Sequence, residues 1–184
     1  MQRMILTGEP FLSDYFRKTV SRNRFKVIDT PGAREMLGRG DYLLIGEEEA
    51  AARLNEEGDT LLYTVSESGI EWIDRSLDNT PLTSRLDIFK DKTKFRELTS
   101  GLYPGLFYRE VTLAELDRLD IDELPLPAVI KPAVGFFSLG VNTVREREEW
   151  RRTFQSIRDQ AATHGDLYPD RVLDTSRLII EEYI

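Results

Sequence analysis

Short apolar runs alternate with segments of helical periodicity over the first half of the chain. Residues 4–7 predict a buried strand that ends at Gly8, and the apolar positions of residues 12–20 then recur at the spacing of one helix face. Three more apolar strands are predicted at residues 25–29, 42–46 and 60–65. Strands that alternate with helices predict a parallel sheet covered by helices, which is an α/β domain.

The pattern changes after residue 86. A helix is predicted at residues 87–98, and short strands are predicted at residues 106–108, 128–131, 140–144 and 177–184. Thr112 and Glu115 have the spacing of a capping box, and a long amphipathic helix is predicted at residues 145–163. The sequence therefore predicts two domains, residues 1–86 with an α/β fold and residues 87–184 with an α+β fold.

Charge and composition exclude several classes of function. The chain has 25 basic and 33 acidic residues, a net charge of -8 that argues against a nucleic-acid-binding surface. It has no cysteine, which excludes disulfides, thiolate metal sites and cysteine nucleophiles, and its one histidine is His164 at a predicted helix end. No apolar run approaches the ~20 residues that a membrane-spanning helix needs. We expect a cytoplasmic protein that binds neither nucleic acid nor membrane.

Lys131 is the first candidate for chemistry. It closes an apolar strand directly before a loop that contains Gly135, Ser138 and Gly140. An ammonium at a strand end and the backbone amides of a glycine loop can bind the same phosphate oxygens. A solvated lysine beside an ordinary hairpin loop explains the segment equally well.

Phe136 and Phe137 place two aromatic rings in the same loop, where polar residues are expected. The rings can cover a bound nucleotide, or they can pack in a local core, since aromatic side chains dominate packing. The sequence leaves both interpretations open.

Three segments together resemble a known family. The run from Leu126 to Val144 resembles the central strand, phosphate loop and second strand of ATP-grasp enzymes. Residues 91–95 (Asp-Lys-Thr-Lys-Phe) are similar to the helix start that carries the family's first basic residue, and residues 178–184 are similar to its adenine-binding hinge. The resemblance implies a Rossmann-like pre-ATP-grasp domain at 1–86 and an incomplete N-terminal ATP-grasp subdomain at 87–184.

The resemblance also implies roles for single residues. Lys92 and Lys131 would contact the phosphates of ATP, and Ser138 with the loop amides around Gly135 and Gly140 would close over them. Glu181 would lie near the adenine amino group, the carbonyl of Glu182 would accept from it, and the amide of Ile184 would donate to the ring. A strand edge does offer the acceptor and the donor that an adenine edge needs.

The implied activity is that of an ATP-dependent ligase, which joins a small carboxylate to an amine or a thiol through an acyl phosphate. The family's ribose-binding acid and its Mg²⁺ ligands follow beyond the hinge, and Ile184 ends an apolar run. We therefore expect a fragment that is inactive alone, with magnesium ligands outside it. The sequence leaves a homodimer open.

Two other functions compete with the ligase. The chain can be a nucleotide-binding module without catalysis. Gly8 and Asp29 have the spacing of a dinucleotide-binding oxidoreductase domain, but Glu9, Pro10 and Phe11 follow where the glycine-rich turn is needed.

Overall fold

The computed structural model describes residues 2–56, 60–64, 66–77, 80–165, 167–168 and 170–184. The chain forms two compact units, Met1–Ser84 and Arg85–Ile184. The identities suggested for them by the family resemblance stay a proposal.

The first unit is a four-stranded parallel sheet with helices between successive strands. Its sheet order is β3-β2-β1-β4, and every pairing is parallel. The elements are β1 (Gln2–Leu6), α1 (Asp14–Arg22), β2 (Lys26–Ile28), α2 (Pro31–Leu37), β3 (Leu43–Ile45), α3 (Glu47–Asn55), β4 (Thr60–Thr64) and α4 (Glu67–Ser76). The predicted α/β fold is thus confirmed. Val65, which the sequence places in the fourth strand, lies outside the described residues.

Hydroxyl side chains begin three of these helices. The side-chain oxygens of Ser13, Thr30 and Ser66 each accept a hydrogen bond from the backbone amide three residues later, at 3.0–3.2 Å. Each cap satisfies an amide that has no partner within the helix. Because α2 and α4 start three residues after the ends of β2 and β4, strand ends and helix starts lie together at the carboxyl edge of the sheet.

The second unit is built on a four-stranded antiparallel sheet of order β5-β8-β6-β7. It contains α6 (Lys92–Thr99), β5 (Tyr108–Thr112), α7 (Leu113–Leu116), β6 (Ala128–Val134), β7 (Asn142–Val144), α8 (Trp150–His164) and β8 (Asp174–Glu182). Short 3-10 turns occupy Ile121–Glu123 and Arg147–Glu149, and α5 (Pro81–Lys90) precedes α6. No helix of the described residues is long and apolar enough to cross a membrane.

The two faces of this antiparallel sheet differ sharply. Alternate residues of a strand point to opposite faces. One face buries Ile130, Leu178 and Ile180 in a core that also contains Leu116 of α7 and Ile157 of α8. The opposite face carries charged side chains, and α6 contributes further charged residues to it. This second face is the charged sheet face, and all of the charge clusters below belong to it.

The structure corrects several predicted boundaries. The helix predicted at 87–98 is two helices, because Asp91 stops α5 and caps α6, accepting from the amides of Thr93 and Lys94 at 2.9 and 3.1 Å. The strand predicted to end at Lys131 continues to Val134, where it pairs with β8. The predicted capping box of Thr112 and Glu115 is confirmed.

Candidate functional site

The strand register brings the candidate residues of β6 and β8 to one face. Lys131 lies opposite Ile179, and Val129 lies opposite Glu181. Residues two apart on a strand share a face, so Lys131 and Glu181 are diagonal neighbours. Positions 131 and 181 are 50 residues apart in sequence, and only the pairing of β6 with β8 makes them adjacent.

Glu181 is a buried carboxylate held by two cations. One of its oxygens forms an ion pair with the ammonium of Lys131, and the other accepts from the guanidinium of Arg96, whose Nε lies 2.8 Å away. The residue is 6% exposed. A buried carboxylate costs free energy unless it is paired and hydrogen-bonded, and this one is both.

The environment of Glu181 keeps it ionised. Burial by itself raises its pKa, but the hydrogen bonds and positive charges of Lys131 and Arg96 outweigh burial and hold the pKa below its ordinary value. The ionised carboxylate of Glu181 therefore forms an ion pair with the ammonium of Lys131. A phosphate that approaches Lys131 competes with this carboxylate.

Lys92 is the first residue of α6, and its ammonium lies under the end of β6. Its Nζ donates to the carbonyls of Pro132, Ala133 and Gly135 at 3.1, 3.5 and 3.4 Å. An ammonium has three donors, so these three carbonyls engage all of them. Lys92 thus ties the start of the glycine loop to α6.

The same position lowers the pKa of Lys92 to about 8. Burial is the larger cause, and the positive charges of Lys131 and Lys90 add to it. The neighbouring positive charges thus disfavour the protonated form of Lys92, and an anion bound beside it would favour that form. The predicted pair of phosphate-binding lysines is thus close enough to interact electrostatically.

The loop after β6 adopts an unusual backbone. Phe137, Ser138 and Gly140 all have positive φ values, of 47°, 58° and 72°. For Phe137 and Ser138 the left-handed conformation is strained, and strain of this kind clusters at ligand-binding sites. Within the loop the amides of Leu139 and Val141 donate to the carbonyls of Phe136 and Ser138, at 3.0 and 3.2 Å.

The two aromatic residues of the loop behave differently. Phe136 packs edge-on against Tyr168, with ring centroids 5.1 Å apart, and its ring centroid lies 5.3 Å from that of Phe137. Phe137 is 71% exposed. Of the two interpretations left open by the sequence, local packing describes Phe136, while Phe137 presents its ring to solvent.

The predicted hinge lies at the end of β8. Glu182 is its last residue, and its side chain accepts from the amide of Phe107 at 3.3 Å while its own amide donates to the carbonyl of Phe107. The strand predicted to run through Ile184 ends two residues earlier, and Ile184 is 91% exposed. The adenine contacts assigned to Glu182 and Ile184 stay predictions.

Sequence reasoning missed two basic residues of the charged sheet face. Arg96 is one helical turn after Lys92, a spacing of four that places both on the same side of α6. Arg177 of β8 donates to Glu110 through Nε and Nη2, at 3.1 and 2.8 Å, and to Asp91 through Nη1 at 2.9 Å. The spacing of Lys92 and Arg96 was readable in the sequence, whereas the partners of Arg177 lie 67 and 86 residues away.

Magnesium has no ligand set in the part of the chain that the structure describes. No group of three or more acidic or histidine side chains is placed there to hold a metal ion. The acidic residues of the charged sheet face, Glu181, Asp91 and Glu110, are engaged by arginine and lysine instead. No chemical step is therefore assigned to a metal held by these residues.

Part of the second unit matches a known protein family. Residues 124–184 match the family model of the ATP-grasp domain, a segment that includes Lys131, the glycine loop and β8 but neither Lys92 nor Arg96. A search of curated protein sequences gave no match.

Several solved structures are similar to the whole chain. They include an L-amino acid ligase from Bacillus licheniformis (TM-score 0.54, 15% identity, 100% of this chain and 44% of that one) and the biotin carboxylase domain of a Hydrogenobacter thermophilus 2-oxoglutarate carboxylase (TM-score 0.54, 15% identity, 98% and 44%). A third is the N5-carboxyaminoimidazole synthetase of Staphylococcus aureus complexed with ADP (TM-score 0.51, 14% identity, 100% and 47%).

The chain thus spans less than half the length of each of these three structures. At identities of 14–15% the likeness concerns the fold, and both units contribute to it, since almost all of the chain is covered in each comparison. The chain accordingly has the fold of the ATP-grasp ligases, and its residues 124–184 match the model of the ATP-grasp domain.

Proposed function

We propose that the second unit binds ATP on its charged sheet face, as the nucleotide-binding part of an ATP-dependent ligase. The phosphates lie against Lys92, Lys131 and the loop that contains Gly135, Ser138 and Gly140. The adenine lies at the end of β8, beside Glu181, Glu182 and Ile184. The observation that carries the proposal is the convergence of Lys92 and Lys131 at the base of the glycine loop.

Charge supports this orientation of the nucleotide. Lys131 and Arg96 share the single carboxylate of Glu181, so this cluster carries an excess of positive charge. Lys92 adds a further ammonium, which is hydrogen-bonded to neutral carbonyls. Phosphate oxygens accept strong, charge-assisted hydrogen bonds from such groups.

Binding requires the residues to exchange partners. When a phosphate binds Lys131, the carboxylate of Glu181 keeps its hydrogen bonds with Arg96 and so remains fixed. When a phosphate binds Lys92, at least one loop carbonyl loses its donor. Nucleotide binding is therefore coupled to a local change of the loop that follows β6.

For the whole protein we propose carboxylate activation. ATP would phosphorylate a small carboxylate, and an amine or a thiol would attack the acyl phosphate. Acyl phosphates hydrolyse readily, and a loop that covers the reacting phosphate excludes water. Magnesium, which neutralises phosphate charge in phosphoryl transfer, would be bound by ligands beyond the described residues.

Calorimetric titration with ATP tests the proposal on this chain. The unsubstituted chain is expected to bind ATP, and Lys131→Ala is expected to bind about tenfold or more weakly, because it loses one charge-assisted contact with phosphate. Lys18→Ala is the matched control, since it removes the same charge from an exposed position of α1.

The variant must first be shown to fold, because Lys131→Ala removes one partner of a buried carboxylate. Circular dichroism and thermal melting serve this purpose. The proposal is contradicted if titration of the folded, unsubstituted chain with ATP shows no heat of binding. It is also contradicted if Lys131→Ala and Lys18→Ala bind ATP with equal affinity.

A further inference from the structure

The pairing of β5 with β8 ends in an irregular pair of residues. The strand register places Tyr108 opposite Glu181, so Phe107 lies opposite Glu182, the last residue of β8. The amide of Glu182 donates to the carbonyl of Phe107 at 3.3 Å. Two residues that pair in this way in an antiparallel sheet normally exchange both bonds, so the amide of Phe107 should donate to the carbonyl of Glu182 in return.

The return bond goes to a side chain instead. The amide of Phe107 donates to Oε1 of Glu182 at 3.3 Å, and among the described residues it makes no bond to the backbone carbonyl of Glu182. The carboxylate has thus taken the position that the carbonyl of the same residue has in a regular ladder. The carbonyl of Glu182 keeps the acceptor capacity that the ladder normally uses.

The neighbouring strand on the other side, β6, does not supply the missing donor. The amide of Tyr183 donates to the carbonyl of Pro127 at 2.9 Å, so the backbone groups of Tyr183 face β6. Consecutive residues of a strand direct their backbone groups to opposite sides. The carbonyl of Glu182 therefore faces the side of β5, at the point where the adenine is proposed to lie.

Sheet pairing alone gives no reason for the carboxylate to be there. The backbone carbonyl of residue 182 can satisfy the amide of Phe107 without any side chain, as it does in a regular ladder. The contact made by the carboxylate therefore adds no bond to the sheet. Its effect is to satisfy the amide and to release the carbonyl.

We propose that the carboxylate of Glu182 is a positioning group for base recognition. By accepting from the amide of Phe107, it leaves the backbone carbonyl of Glu182 to accept from the exocyclic amino group of adenine. The inference rests on the proposed nucleotide binding and adds a determinant of specificity to it, since only a base with such an amino group gains from the released carbonyl.

The first test needs no nucleotide. Scalar couplings across hydrogen bonds, measured between ¹⁵N and ¹³C in the labelled chain, identify the acceptor of the Phe107 amide. The unsubstituted chain and Glu182→Gln should show no coupling to the backbone carbonyl of residue 182, because a side-chain oxygen still accepts. In Glu182→Ala this coupling should appear, and thermal melting should show that the variant stays folded, because the ladder bond replaces the lost one.

The second test measures base discrimination by calorimetry. ATP is compared with purine riboside triphosphate, which lacks the 6-amino group. The unsubstituted chain and Glu182→Gln should bind ATP more tightly than this analogue. Glu182→Ala should bind ATP about threefold to tenfold more weakly, which corresponds to one hydrogen bond, and should bind the analogue as well as the unsubstituted chain does.

Several results would overturn the inference alone. One is a coupling from the amide of Phe107 to the carbonyl of Glu182 in the unsubstituted chain. Others are an unchanged preference for ATP in Glu182→Ala, an equal loss of affinity for the analogue, or the same loss in Glu182→Gln, which would indicate a role of charge. If the unsubstituted chain binds neither nucleotide, the proposed function itself fails, and the role of Glu182 in base recognition fails with it.

Discussion

Lys92 links the start of α6 to the backbone of the glycine loop. Hydrophobic periodicity places it inside one helix at 87–98, whereas the structure makes it the first residue of α6, and the family resemblance assigns it to phosphate. In the structure its ammonium donates to three carbonyls at the end of β6. The residue is therefore available to a nucleotide only when some of these hydrogen bonds break.

Replacing Lys92 by methionine is expected to loosen the loop even without nucleotide. Methionine keeps the length of the apolar stem but supplies no donor, so the carbonyls of Pro132 and Gly135 lose their partner. Hydrogen exchange measured by mass spectrometry should become faster in residues 135–141. Lys94→Met, at an exposed position of the same helix, is the control. Unchanged exchange in Lys92→Met would show that the ammonium does not hold the loop.

Arg96 shows what single-residue reasoning overlooks. Its spacing from Lys92 is visible in the sequence, but nothing local indicates that a buried carboxylate 85 residues away will bind it. Lys131 was identified because it ends an apolar strand before a glycine loop, which is a local signal. Arg96 lacks such a signal, because its role depends on where β8 lies.

At the scale of elements, the loop between β6 and β7 is shorter than the sequence suggests. The apolar pattern ends at Lys131, but β6 continues to Val134 because Val134 pairs with Asp174 of β8 and with Asp91 before α6. The shorter connection must reverse direction over few residues, and three of its residues adopt positive φ. Tertiary pairing thus fixes the conformation of the loop.

Gly140 is the position of this loop that tolerates a side chain least. Its φ is +72°, and a Cβ there would lie 2.8 Å from Cγ of Pro132. Gly140→Ala is therefore expected to reduce the free energy of unfolding by about 1–3 kcal/mol, as measured by urea denaturation.

Gly105→Ala provides the comparison for Gly140→Ala. A Cβ added at Gly105 would have no further heavy atom within 4 Å, and the φ angle of Gly105 is not positive. Its replacement should change the free energy of unfolding by less than about 1 kcal/mol. Equal effects of the two substitutions would mean that the loop relaxes around residue 140 at little cost.

At the scale of the whole molecule, the second unit places the ion pairs of its buried carboxylates Glu181 and Asp91 on one face of its sheet. Hydrogen bonds from Arg177 lower the pKa of Glu110. For Asp91 and Glu181, burial raises the pKa, but hydrogen bonds from backbone amides, arginine or lysine lower it further, so the net shift is downward. Three carboxylates therefore stabilise the folded chain in their ionised form.

This arrangement predicts loss of stability in acid. A carboxylate with a lowered pKa binds fewer protons in the folded state than in the unfolded state, so stability is fully present above the ordinary pKa values of 3.8 and 4.5. This stabilisation is lost as the pH falls below the ordinary pKa values and towards the lower pKa values of the folded chain. Thermal melting of the chain between pH 7 and pH 3 should show this decline.

The variant Glu181→Gln tests whether Glu181 contributes to the loss of stability in acid. At pH 7 it should be less stable by about 3 kcal/mol, because Lys131 and Arg96 lose their shared partner. Its melting temperature should also depend less on pH than that of the unsubstituted chain. Glu123→Gln, in an exposed pair with Arg109, should keep the original dependence. An equal dependence in both variants would show that Glu181 does not contribute.

The sequence by itself determined the parallel α/β fold of the first unit, the capping box of Thr112 and Glu115, and the candidate lysines at positions 92 and 131. Hydrophobic periodicity, capping hydroxyls and glycine loops are local signals, and each is readable within about ten residues. Only the tertiary structure decided which groups meet: Lys131 and Arg96 on Glu181, and Lys92 on the loop carbonyls. The physical reason is strand register, because pairing β6 with β8 joins residues that no local pattern connects.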